Sequence, residues 1–314
     1  MSALGGATSW IRYRVSLGLL AFVRHLPYQL VLGIFRSLGA VACLADPFHR
    51  KVAQVQMSSA LGLEWVFFSA LRVFMNQADI LVDAVHYAYL SDEEIREKVR
   101  VEGREHLEEA LESGRGIMMI TGHIGNWEIL SHIPRLLGTQ FCVMADRRDD
   151  PRLESIVDSI RSRSGATILP PTGKALMLIR ELRKGRTIGM VVDNRGEKKD
   201  GIMCDVLGMP APTNPAPAFL AIKGNALVLP VYAVKKKDGY HICFSKPVDA
   251  GSFGQGEQAV QRLSDFMQSW VSSVVRQYPF QWFWLYSRWL KRAEIRKVIR
   301  QGKDFKGYVL SQAG

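Results

Sequence analysis

His123 and Glu128 stand five positions apart in the stretch His123-Ile124-Gly125-Asn126-Trp127-Glu128. A histidine and a carboxylate are residue types that handle protons at neutral pH. A neutral imidazole takes a proton from an alcohol through one nitrogen, while a carboxylate bound at the other nitrogen holds it in a single tautomer. On one unbroken helix, five positions separate two side chains by about 140°. The pair therefore converges only if the chain bends between them, and Gly125 with Asn126 offers the bend. The plainer reading of the same residues is a histidine near a helix start, with Glu128 well placed against the dipole of the first turn.

The elements around the pair follow from hydrophobic patterning. Ile117–Thr121 is a short apolar run expected to be a buried strand, Gly122 ends it, and Asn126 to Leu137 has helical character. A strand-to-helix turn is where an α/β protein presents side chains to a cleft. The rhythm continues with a strand over 140–145, a helix over 151–164, a short strand over 167–169, a helix over 174–184 and a strand over 187–192 ending at Asp193. A helix over 215–223 and a hairpin of 226–234 with 240–245 around Asp238-Gly239 come next, then a long helix over about 255–276. The expected fold is α/β: a mainly parallel mixed sheet flanked by helices, with a helical, membrane-associated N-terminal region. The expected divisions are an apolar arm (1–50), a helical subdomain (51–112), the α/β core (113–292) and a basic tail (293–314). Ser91-Asp92-Glu93-Glu94 resembles a capping box inside the second of these.

The 314 residues are 47% hydrophobic, which supports a sizeable core and excludes global disorder. The net charge of +11 implies an anionic partner: nucleic acid, anionic lipid headgroups or an acidic carrier protein. Cys43, Cys142, Cys204 and Cys243 are scattered without a C-x-x-C pair, which suits a reducing compartment and speaks against a zinc site. Residues 15–45 are mostly apolar but broken by Arg24, His25 and Arg36, so the uncharged stretches fall short of the roughly 18–20 residues of a spanning helix. They are read as helices at the membrane interface, with buried helices of a subdomain as the alternative. From Arg288 to Lys306, eight Lys/Arg stand against Glu294 and Asp304, and apolar positions give this segment a second face. Such a basic amphipathic segment suits an anionic membrane or an acidic acyl carrier protein, or is simply solvated. There is no G-x-S-x-G elbow, H-E-x-x-H pair, Walker A pattern or nucleic-acid-binding motif, and no metal or cofactor is expected.

Further blocks follow the opening motif in order: Arg147-Arg148-Asp149-Asp150-Pro151, Arg163-Ser-Gly-Ala166, Val191-Val192-Asp193-Asn194, Gly208-Met-Pro-Ala-Pro-Thr213 and Pro279 to Arg288. With His-x-Gly-Asn-Trp-Glu, this combination over roughly residues 10–292 resembles the late acyltransferases of lipid A biosynthesis (the lauroyl/myristoyl transferase family). That family lies within the His-x4-Asp/Glu lysophospholipid acyltransferases. The resemblance implies O-acyl transfer from an acyl carrier protein or CoA thioester to a hydroxyl of a membrane glycolipid, on the cytoplasmic face of a bacterial inner membrane. It implies His123 as general base and Glu128 as the motif carboxylate. Asn126, Arg147, Arg163, Asp193 and Arg288 are its candidate substrate-binding residues.

Three positions depart from the pattern: Asn194 stands where Gln is usual, Val206-Leu207 replaces an aromatic pair, and Tyr286 occupies a place usually held by His. They bear on the acceptor, because related enzymes acylate other glycolipids and aminolipids. The alternatives are thus N- or O-acylation of another phospholipid, an aminolipid or a mannosylated lipid, and a non-catalytic basic protein bound to membrane or nucleic acid. The supporting residues also have plainer readings. Arg147 and Arg163 can be solvated, Asp193 can organise a turn with Asn194, Gly208 to Thr213 can be loop, and Trp282, Trp284 and Trp289 can be core or an interfacial belt.

Overall fold

In the computed structural model, which describes residues 3–144, 150–169, 175–197 and 201–312, four helices open the chain. They are α1 (Ala3–His25), α2 (Tyr28–Ala45), α3 (Pro47–Leu61) and α4 (Val66–Ala88). α5 (Asp92–Lys98), β1 (Val99–Glu102) and α6 (Arg104–Glu112) lead to β2 (Ile117–Thr121), followed by a 3-10 turn (Trp127–His132) and α7 (Ile133–Leu137). Then come β3 (Cys142–Met144), α8 (Pro151–Arg161), β4 (Thr167–Leu169), α9 (Ala175–Arg183) and β5 (Thr187–Val191). The hairpin of β6 (Ile202–Val206) and β7 (Met209–Thr213) precedes α10 (Ala216–Gly224). The chain ends with β8 (Leu227–Lys236), β9 (Gly239–Phe244), β10 (Val248–Asp249), α11 (Gly256–Gln277), α12 (Arg292–Arg300) and α13 (Phe305–Ser311).

The main sheet runs β1-β9-β8-β2-β5-β3-β4, with β10 beside β8. β2 is parallel to both β5 and β8, and β3 to both β4 and β5; β9 turns back antiparallel on β8 and carries β1 parallel on its far side. This is the expected mainly parallel mixed sheet, with its antiparallel portion late in the chain. All five residues of β2 are buried, as a central strand covered on both faces requires. One apolar cluster joins Met118 and Ile120 to α9–α11 and the C-terminal tryptophans, and a second joins Ile117 and Met119 to α6, α7 and β9.

Several expectations change. β1 lies inside the stretch read as helical; its alternation was masked because it is a four-residue edge strand between two helices. Gly208 to Thr213, read as loop, is largely strand, since β7 closes a hairpin on β6. The segment after residue 292 is no free tail: Ile295, Val298, Phe305 and Val309 are buried in the first cluster. Trp282, Trp284 and Trp289 are 3%, 0% and 2% exposed, so they are core rather than an interfacial belt. Their rings pack edge-on or stacked at 4.6–6.4 Å.

α2 and α4 run antiparallel: Tyr28 reaches Asp83, Arg36 forms a two-pronged pair with Asp79 at 2.7 Å, and Gly39 sits against the backbone of Phe74. The opposite face of α2 exposes Leu30, Leu38, Val41 and Leu44. By length and composition α2 is apolar enough to cross a membrane.

After β2 the chain turns along the end of β8. Gly125, at φ +59°, sits so close to β8 that a Cβ there would lie 1.9 Å from the Ala233 carbonyl oxygen. Gly138 has a similar φ of +69° but open space around it. Gly138→Ala should therefore cost only the left-handed penalty of about 1–2 kcal/mol. Gly125→Ala should cost clearly more, because backbone must also move. Thermal unfolding of the two variants side by side checks this difference.

Candidate active site

The register of the sheet builds the site. Thr121 is paired with Val191 where β2 and β5 end, and each chain runs two residues beyond that pair. His123 and Asp193 therefore leave the sheet side by side. The His123 ring Nδ1 is 2.8 Å from Asp193 Oδ1, and the His123 backbone N–H donates to Oδ2 at 2.8 Å. The Trp282 indole N–H donates to the same Oδ2 at 2.7 Å. Asp193 is 2% exposed, and those three donors replace the water it has lost.

The electrostatics follow from this packing. Burial pushes the Asp193 carboxyl upward, but the adjacent imidazole and the hydrogen bonds from His123 and Trp282 outweigh it and hold the group below its ordinary value. Burial alone would depress His123. The Asp193 charge, its hydrogen bond and the charge of Glu128 together raise the imidazole above the ordinary histidine value. With Nδ1–H directed at the carboxylate, Nε2 carries the lone pair. It has no protein partner among the described residues. The ring is walled by Trp127 (4.8 Å, edge-on) and Phe283 (6.2 Å).

The expectation that Glu128 orients the imidazole is corrected. Glu128 lies in the first turn of the 3-10 segment, and its carboxylate accepts from Arg161 on α8 at 3.2 Å. The bend at Gly125 is present, but it turns Glu128 toward Arg161 while Asp193 takes the ring nitrogen. Asp193 was a candidate substrate contact; it is buried against His123 instead.

Asn126, another candidate contact, is wholly buried, and both ends of its amide serve the protein. Oδ1 accepts from the Glu128 backbone N–H at 3.2 Å, and Nδ2 donates to the Tyr240 hydroxyl at 3.4 Å. Arg288 is 1% exposed and donates to the Thr213 hydroxyl (2.6 Å), the Pro212 carbonyl and Gln268. Burial pulls it down to about 10 against the attraction of Asp193. It holds the β7 end and the C-terminal segment together, and so is not a surface contact. Arg163 is exposed, its guanidinium 4.4 Å from the Tyr89 ring centroid, and Arg24 of α1 lies 4.7 Å from the same ring. Arg147 lies outside the described residues.

Backbone N–H groups near a reacting carbonyl are one source of oxyanion donors. Three in this loop are spent: His123 N–H on Asp193, Gly125 N–H on the Gln281 carbonyl (2.7 Å) and Asn126 N–H on the Ala233 carbonyl (2.9 Å). Those bonds, with Phe283 N–H on the His123 carbonyl (3.0 Å), lock the loop between β8 and the C-terminal segment. Sequence reasoning missed Arg161, which no spacing signals, and the pairing partner of His123. The available hint was that His123 and Asp193 each stand two residues past the end of an apolar strand.

A histidine held by a buried carboxylate, at the carboxyl end of a central parallel strand, with its second nitrogen open, has the geometry to take up a proton at that nitrogen. Residues 6–291 match the family described as bacterial lipid A biosynthesis acyltransferase, and the chain belongs to that family. It is similar to phosphatidylinositol mannoside acyltransferases of Mycolicibacterium smegmatis (26% identity over 63% of this chain and 64% of that protein) and Mycobacterium tuberculosis (27% over 62% and 63%). The chain thus spans a little under two thirds of the length of these relatives. Among solved structures it is similar to the 1-acyl-sn-glycerophosphate acyltransferase of Thermotoga maritima, with TM-score 0.40 and 16% identity over 81% of this chain and 97% of that one.

Asp193→Asn keeps the shape of the pair and removes its charge. An imidazole accepts a proton only when neutral, so an activity that uses His123 this way should fall as pH drops through a midpoint above the ordinary histidine value. Without the carboxylate, burial is left to depress the imidazole, and that acid limb should move to lower pH. The rate itself should fall by roughly 10²–10⁴, the range for a base left in the wrong tautomer. A pH–rate profile of both proteins checks the direction.

Proposed function

We propose that this chain is an O-acyltransferase that moves a fatty acyl group from a carrier thioester to a hydroxyl of a membrane glycolipid. The observation that carries the reading is the His123 ring, bound through Nδ1 to buried Asp193 and open at Nε2. In the reaction, Nε2 takes the acceptor hydroxyl proton as the oxygen attacks the thioester carbonyl carbon. The tetrahedral intermediate collapses, the carbon–sulfur bond breaks, and the imidazolium returns its proton to the leaving thiolate. A thioester is already activated, so positioning an alcohol and removing its proton is most of the task, and no acyl-enzyme is needed. Asp193 stabilises the imidazolium formed on the way. Glu128 adds a second negative charge in the same sense, while its pair with Arg161 joins the catalytic turn to α8.

Family membership supports a lipid A precursor as the acceptor. A second reading, a mannosylated phospholipid, draws on the two mycobacterial relatives, which are phosphatidylinositol mannoside acyltransferases. An acyl carrier protein as donor draws on charge: Arg292, Arg296, Lys297 and Arg300 lie on the exposed side of α12, suited to an acidic partner. The apolar exposed side of α2, and an arm with arginines and no acid before Asp46, supports attachment at an anionic inner-membrane surface on the cytoplasmic side.

Purified protein in detergent, given labelled acyl carrier protein or acyl-CoA and a panel of lipid A precursor, mannosylated phosphatidylinositol and plain phospholipid, should yield one acylated lipid by mass spectrometry. His123→Ala should lower that turnover by about 10²–10⁴ while leaving binding to vesicles unchanged. Undiminished turnover in the variant would remove His123 from the mechanism.

A further inference from the structure

Asp83 lies on α4, fully buried, and its carboxylate accepts from three directions: the Tyr28 hydroxyl of α2 (2.7 Å), the Lys235 ammonium of β8 (2.6 Å) and the Tyr240 hydroxyl of β9 (2.6 Å). A carboxylate only accepts, so the single hydroxyl proton of Tyr240 must point at Asp83. The Tyr240 oxygen is then left to accept, and the group that donates to it is Asn126 Nδ2 at 3.4 Å. This settles which way the Asn126 amide faces: its Oδ1 is turned to the Glu128 backbone N–H. Asn126 is the residue on which the chain passes from β2 into the 3-10 turn, between His123 and Glu128.

We infer that Asp83 is a positioning residue for acyl transfer, acting through Tyr240 and Asn126 to set the turn that carries His123 and Glu128. The inference rests on the reading of His123 as the base. A second route from the same helix ends at the same turn. The Lys235 ammonium bonds to Asp83 and lies 3.6 Å from Asp79, while its backbone is clamped on both sides by the Gln281 side chain, at 2.9 and 3.0 Å. Gln281 in turn accepts the Gly125 N–H through its carbonyl. Asp79 also holds Arg36 of α2, so the helix that fixes the catalytic turn is the one fastened to the apolar arm. The chemistry of the relay depends on the charge of Asp83. An amide at that position has one accepting oxygen, which the Lys235 ammonium and the Tyr240 hydroxyl both require, so its NH2 must face the Tyr28 hydroxyl. Without the charge the Tyr240 hydroxyl is held less firmly, and with it the Asn126 amide that accepts from the Glu128 N–H.

Two variants test this in the full chain, in detergent with the acyl donor and lipid acceptor. Asp83→Asn removes the charge at the head of the relay at nearly constant volume, and Tyr240→Phe deletes one oxygen and keeps the ring packed edge-on to Tyr87. Each should lower kcat by about tenfold or more while KM for donor and acceptor stays within about twofold. Amide hydrogen exchange should quicken over residues 122–132 and stay slow over β2 and β5. Should Asp83→Asn fail to fold, Tyr240→Phe carries the test alone. Unchanged exchange over 122–132, an unchanged kcat, or faster exchange spread evenly through the protein would overturn the positioning role. The exchange readout needs no turnover, so it stands apart from the acyl-transfer reading, which falls instead if His123→Ala remains active.

Discussion

The contact between the His123 ring and the Asp193 carboxylate depends on strand register, and much of the molecule is arranged around it. β2 and β5 are neighbours with Thr121 opposite Val191, so the residues two steps further on meet whether or not their side chains attract. A slip of one residue would send both side chains to the opposite faces. The register is held by burial of both strands on both faces. What the sheet sets geometrically, the pair then exploits electrostatically: a carboxylate taken out of water costs several kcal/mol unless it is fully bonded. Asp193 meets that condition with donors from the ring, the His123 backbone and the Trp282 indole.

That third donor explains the shape of the C-terminal segment. Trp282 must reach Asp193, so residues 279–290 fold back over the loop after β2 rather than leaving the domain. Its backbone accepts Gly125 and donates to His123, and its tryptophans fill the space against α3 and α11. Gln56 of α3 ties the same segment down through the Trp284 and Tyr286 carbonyls and the Arg288 N–H. Arg288 is used in the same way. The Arg288 guanidinium is buried because the Pro212 carbonyl, the Thr213 hydroxyl and the Gln268 amide accept from its two terminal nitrogens, and Asp193 attracts its charge. Residues that resemble substrate contacts in a one-dimensional pattern thus turn out to be the frame that keeps one imidazole still.

The N-terminal helices join this frame from the other side. α2 has an exposed apolar face and an inner face bound to α4 by Arg36–Asp79 and Tyr28–Asp83, both of which continue to Lys235 on the central sheet. An arm attached by long polar side chains to buried acids is held in one orientation, since Asp79 and Asp83 would each lose a close donor if it moved away. The exposed apolar face of α2 and the turn that carries His123 are therefore parts of one connected arrangement.

Residue order alone located most strands and helices of the core, though not the β6–β7 hairpin, because the apolar runs 117–121, 167–169 and 187–192 are short, bounded by glycine or polar residues, and too brief for helices. It also put His123 forward as the candidate base and carried the family pattern. It did not determine which carboxylate serves that histidine. Glu128 is close along the chain, whereas Asp193 is seventy positions away and becomes a neighbour only when two parallel strands pair in one register. Asn126 and Arg288 look like polar residues free for a ligand until packing surrounds them. Burial and hydrogen-bond partners come from which surfaces meet, and the tertiary structure alone decides that.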